Sequence, residues 1–152
     1  MSASRGAVTE QQVQEDLMRL EAYRNQLNAL LQQHQILSAS RQDHVRARES
    51  LEGVERAPSG TELLLPLGGE TFVRGSVDLA SPVLVGVGSG IVVEMERPKV
   101  VELLAERLVR IEQALRDLEG QMGSLDERIQ ALSQRLDSIA RENGAPGDVG
   151  SD

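Results

Sequence analysis

The 152-residue chain contains no cysteine and no tryptophan, with a single tyrosine, Tyr23, and a single phenylalanine, Phe72. Absence of cysteine excludes disulfides and thiolate metal sites and accords with a reducing intracellular compartment. Scarcity of aromatic rings means that aliphatic side chains must supply nearly all the buried area, which suits long helices better than a compact ball. Basic residues are the minority: 16 Lys and Arg stand against 24 Asp and Glu, for a net charge of −8, and nothing gathers them into a patch. Tight binding to a phosphate backbone needs such a patch, so nucleic acid is not an expected partner. No apolar run approaches the length that spans a bilayer, and the first twenty residues hold no secretory apolar core. Neither a membrane partner nor export is expected, and the cytoplasm is the expected location. His34 and His44 stand ten residues apart with no metal-binding pattern around them, and the scattered serines have no base placed by any motif. No catalytic residue, metal or cofactor is expected, and the chain is not read as an enzyme.

What is present falls into three parts. From about Val8 to Val54 glutamine, glutamate, arginine, alanine and leucine dominate, with no proline and no glycine before Gly53, as in one long helix. Its apolar residues recur at Val13, Leu17, Leu20, Tyr23, Leu27, Leu30, Leu37 and Leu51, near the three-and-four spacing of a coiled-coil seam. The same register passes through His34, Arg41, His44 and Arg48, so the seam turns polar in its second half. From Pro98 to about Glu142 the pattern is stronger: Val101, Leu104, Leu108, Ile111, Leu115, Leu118, Met122, Leu125, Ile129, Leu132, Leu136 and Ile139 follow that spacing without a gap. Pro98 suits the first turn of this helix, and Asn143, Gly144 and Pro146 end it. At 1.5 Å per residue each helix would be ~60 Å long. Two such helices around a central block predict an antiparallel pair.

The central block, residues 57–97, replaces glutamine and arginine with glycine, proline and β-branched residues, and its period moves towards two. Four short strands are predicted near residues 62–67, 71–77, 82–87 and 91–96, joined as two hairpins at Gly68-Gly69 and Ser89-Gly90. The stretch VGVGSGIVV, Val85 to Val93, invites comparison with a phosphate-cradling loop. Such a loop must open a helix, whereas these glycines open another strand and lack the Gly-Lys-Ser/Thr ending. Positive φ in a tight turn at Gly90, and at Ser89, is the expected reason for them.

The central segment LLLPLGGETFVRGSVDLASPVLVGVGSGIVVEMER then completes a resemblance. Pro66-Leu67-Gly68-Gly69, Phe72-Val73-Arg74-Gly75 and Val83 through Gly90, with Val93-Glu94 after them, resemble the signature region of alpha-type subunits of the archaeal prefoldin (GimC) family. Two hairpins rather than one mark the alpha type in that family. The resemblance implies an α+β fold, in which a long antiparallel helical coiled-coil hairpin carries two central β-hairpins that join an oligomeric β-barrel. It implies a hexamer of two alpha and four beta subunits, an ATP-independent molecular co-chaperone and holdase that binds unfolded client polypeptides and passes them to a group II chaperonin. The helical periodicity alone would also fit a coiled-coil scaffold or tethering protein. That rival needs no glycine-rich β block and should form a stable homodimer.

The chain accordingly divides into an N-terminal coiled-coil helix (1–56), two assembly hairpins (57–97), a C-terminal coiled-coil helix (98–143) and a polar tail (144–152), with residues 1–7 and the tail expected to be loose. Client binding is expected where both helices approach the termini, at Val8, Val13, Leu17, Leu132, Leu136 and Ile139. Subunit assembly is expected to use the strand residues Leu63, Leu65, Phe72, Val73, Val77, Val83, Val85, Val92 and Val93. Gly68, Gly69, Gly88 and Gly90 are assigned to structural turns.

Overall fold

A computed structural model describes residues 8–78 and 80–144, with the element order α1 (Glu10–Arg56), β1 (Glu62–Gly68), β2 (Thr71–Ser76), β3 (Val83–Gly88), β4 (Ile91–Met95) and α2 (Arg97–Gly144). Residues 1–7 and the tail after Gly144, expected to be loose, lie outside the described residues. No helix among the described residues is long and apolar enough to cross a membrane. The start of α1 is a capping box: the Gln12 amide donates to Thr9 Oγ1 at 3.3 Å, and the Thr9 amide donates to Gln12 Oε1 at 3.1 Å. Pro98 stands in the first turn of α2, where its missing N–H costs nothing.

The chain divides into two compact units, one built from the described residues 8–36 and 115–144, the other from residues 37–114. In the first unit the helices run antiparallel, because cross-helix partners fall in number along α2 as they rise along α1. His34 Nε2 lies 3.1 Å from Glu119 Oε1, the Arg128 guanidinium stands 5.9 Å over the Tyr23 ring, and Arg135 Nε lies 3.3 Å from Asp16 Oδ2. Leu20, Leu115, Leu118, Leu125 and Ile139 are buried between the helices. One seam position differs from expectation. Asp16 is 4% exposed and Leu17 51% exposed, so the seam runs Val13, Asp16, Leu20, Tyr23. Steps of three then four lead from Val13 through residue 16, and only the polarity of aspartate draws the eye to its neighbour.

Gly120 and Gly123 lie within the unbroken α2 in this unit, and a Cβ added at either would meet nothing within 4 Å. Packing therefore does not require them. Gly120→Ala and Gly123→Ala should each stabilise the chain by about 1 kcal/mol, the helix-propensity difference between the two residues. A denaturant titration followed by helical ellipticity reads this directly; a lower midpoint for either variant would show that the glycine relieves a strain.

In the second unit Arg41 Nε donates to Glu112 Oε1 at 3.2 Å, and Arg97 pairs with Glu55 at 3.8 Å. Of the polar interval of the α1 seam, Arg41 here and His34 in the first unit are met by acidic side chains of α2, while His44 bonds the Ser40 carbonyl of its own helix. Val85, Val100 and Leu104 form the buried core, with Leu51, Val83, Met95 and Leu103 packed against it. The inward face of β3–β4 is in this way fastened to both helices. The hairpins form two separate two-stranded antiparallel sheets, β1 with β2 and β3 with β4.

Both hairpins turn by the same device. Gly68 pairs with Thr71 and Gly88 with Ile91, each after a register shift, which leaves Gly69-Glu70 and Ser89-Gly90 as the central turn pairs. The first junction therefore lies one residue later than expected. All four central residues have positive φ, 54° and 59° in the first turn and 50° and 74° in the second, as a type I′ turn requires. Gly68 at φ 102° and Gly88 at φ 113° are the bulge residues that feed the turns. Between the hairpins, Asp78 accepts from the Ala80 amide at 2.9 Å and the Ser81 hydroxyl at 2.8 Å. These bonds, backbone first, and then the Arg97 charge, hold its carboxyl below the usual range.

Candidate interaction surfaces

The strand residues assigned to assembly separate into two groups. On β1–β2, Leu63 pairs across from Gly75 and Leu65 from Val73 on one face, while Leu64 pairs across from Arg74 and Pro66 from Phe72 on the other. Leu65, Phe72, Val73 and Val77 are exposed, Phe72 at 59%, and Leu63 is half-buried. Leu64 and Leu67, absent from the expectation, are exposed with them. Gly75 serves this surface: a Cβ there would stand 2.8 Å from Leu65 Cδ1, so glycine lets the leucine lie across β2. Arg74 pairs with Glu62 at 3.5 Å on the opposite face.

On β3–β4 the alternation divides the residues differently. Val83 pairs with Met95 and Val85 with Val93, and these face the helices, whereas Leu84 with Glu94 and Gly86 with Val92 face away. Val92 is exposed, as are Leu84, Val87 and Ile91. Val85 is 7% exposed and sits in the chain's own core, so it is not on a free surface, and Val83 and Val93 are half-buried on the same side. The physical reason is the strand period of two, which commits alternate residues to opposite faces. Gly86 also gives α2 a hold on the strand: Arg107 Nη2 donates to its carbonyl at 2.8 Å.

At the terminal end of the first unit the helices contribute unequally. Val8, just before α1, and Leu17 on it are exposed and Val13 is half-buried, while on α2 Leu132 and Leu136 are half-buried and Ile139 is buried. Met18, at 61% exposure, extends the open apolar strip beyond Leu17. The heptad register carried through Asp16 was the signal that could have found it. Among the described residues no group of three or more His, Asp and Glu side chains is placed to hold a metal ion.

Comparison with known proteins agrees with this architecture. Residues 23–142 match the family described as Prefoldin subunit. The chain is 29% identical over 131 residues to the prefoldin subunit alpha of Methanocorpusculum labreanum, covering 84% of this chain and 89% of that one. It is 30% identical over 109 residues to the prefoldin subunit alpha of Methanopyrus kandleri, covering 69% of each. Among solved structures, the cryo-EM structure of filamentous PFD from Methanocaldococcus jannaschii superposes with a TM-score of 0.64 at 21% identity, covering 77% of this chain and 97% of that one. The crystal structure of the prefoldin beta subunit from Thermococcus strain KS-1 gives 0.58 at 24% identity, covering 88% and 96%. At those identities the two structures speak for the fold.

Proposed function

Because the chain belongs to the prefoldin subunit family, we propose that it is the alpha-type subunit of a cytoplasmic hetero-oligomer, two alpha with four beta, that holds unfolded polypeptides without ATP and hands them to a group II chaperonin. The observation that carries the reading is the apolar surface left open on both hairpins: Leu64, Leu67, Phe72, Leu84, Ile91 and Val92 are all exposed. A free-standing chain has no use for so much exposed apolar surface, and a two-stranded hairpin such as β1–β2 is marginal in water by itself. Strand edges and apolar faces of neighbouring subunits would cover both. The holding surface is assigned to the terminal end of the first unit, where Val8, Leu17 and Met18 offer non-directional apolar contact. No bond is made or broken in this activity.

The test is reconstitution with a beta-type subunit, the mass of the complex, and suppression of aggregation of a denatured protein without nucleotide. Removing residues 1–14 and 136–152 should weaken suppression and leave the mass per assembly otherwise unchanged. Full suppression by the truncated complex would refute the assignment of holding to that end.

A further inference from the structure

Within the first unit, Leu27 and Leu31 of α1 and Met122 and Gly123 of α2 form the floor of an open groove of about 350 Å³, with Glu119 and Asp126 at its edge. On α2 these residues follow the i, i+3, i+4, i+7 spacing of one helix face. Leu31 is 40% exposed, and Leu27 and Met122 are half-buried, so the floor is apolar and reachable from solvent. Met122 supplies a side chain that adapts to varied shapes. Gly123, which packing does not require, keeps the groove open. Glu119 is met by the His34 imidazole at 3.1 Å and Asp126 accepts from the Gln130 amide at 2.8 Å, and no basic side chain lines the groove.

We infer that this groove takes segments of unfolded polypeptide in which apolar side chains stand next to lysine or arginine. The inference rests on the holdase reading and adds a class of client to it. Charge complementarity selects the occupant: two carboxylates edge an apolar floor, so a cationic flank is attracted while its apolar neighbour enters. A second copy of this chain, at a net charge of −8, is repelled by the same edge, as is a nucleic acid. The groove lies away from the Leu17–Met18 strip, so a client could be held at both places along one unit.

The experiment uses the full chain assembled with its beta-type partner and labelled, unstructured peptides of one apolar sequence flanked by lysine, by serine or by glutamate. The lysine peptide should bind about tenfold more tightly than the glutamate peptide at low ionic strength, and the difference should shrink as salt screens the edge. Gly123→Leu fills the groove while favouring the helix, and should weaken the lysine peptide about tenfold by removing its apolar contact. Glu119→Gln with Asp126→Asn should remove most of the charge preference and leave the serine peptide unchanged. Equal binding of the three peptides, or unaltered binding by Gly123→Leu, would overturn the inference. A complex that suppresses aggregation yet binds all three alike refutes the groove alone; one that discriminates the peptides yet fails to suppress aggregation refutes the holdase reading alone.

Discussion

Phe72→Asp is expected to leave the helix content of the isolated chain unchanged and to abolish its entry into the hetero-oligomer, whereas Val85→Asp should unfasten the second hairpin before assembly is reached. The two residues look alike in the sequence, each a large apolar side chain on a short strand. Their surroundings differ. Phe72 is 59% exposed, so a carboxylate there remains in water and costs the monomer little, while an apolar intersubunit contact receives a charge. Val85 is 7% exposed against Val100 and Leu104. Placing aspartate there forfeits about 2 kcal/mol of side-chain burial and adds the desolvation of an unpaired carboxylate, a total of about 4 kcal/mol or more. That is a large share of the stability of a small domain. Circular dichroism with a denaturant titration separates the cases, and the mass of the complex reads assembly. A Phe72→Asp chain that still enters the oligomer would show that the β1–β2 surface is not an interface.

The same pair shows where sequence reasoning reached and where it stopped. Period-two alternation announced the strands, and the glycines announced their turns, because positive φ is a local demand that a residue type reveals. Which face of a strand meets the helices is a tertiary fact. Val85 and Val92 are both valines, and only the docking of β3–β4 onto Leu51, Val100 and Leu104 sends one inward and the other out. The α2 seam was legible from Leu104 to Ile139, since packing against a partner helix needs nothing but the apolar period, whereas at its start the expected Val101 is half-buried and its neighbour Val100, at 4% exposure, is the core residue. In α1 the period was broken by Asp16, and a pattern sought in apolar residues slid to Leu17. Glu70 was hidden for a related reason: glutamate seldom takes φ 59°, so its place in the first turn had no residue-type signal. The acid-edged groove at Gly123 was invisible because it joins residues of two helices far apart in the chain.

Asp16 is the ground for the second large effect, because two substitutions around it should change stability in opposite directions. Its Oδ2 lies 3.3 Å from Arg135 Nε, close enough for an ion pair, yet it makes no aligned hydrogen bond. Arg135→Ala leaves this buried carboxylate without its counter-charge and should destabilise the helix pair by about 1–3 kcal/mol, the cost of an unsatisfied buried acceptor. The loss stays below that of a fully buried pair because half of the Arg135 side chain is already in water. Asp16→Leu removes the charge and continues the apolar seam, so it should stabilise the pair by about 1–3 kcal/mol. If stability were all that Asp16 served, holding by the assembled complex would be unchanged. We expect that outcome. Adjacent residues on a helix point roughly 100° apart, so with residue 16 in the seam Leu17 and Met18 face outward. Leucine at 16 favours that same register more strongly than a buried carboxylate does, so the strip that Leu17 and Met18 expose stays in place. Asp16→Leu should therefore be more stable and suppress aggregation as fully as the parent complex; a more stable variant that holds less would show that the Asp16 carboxylate itself serves the holding surface.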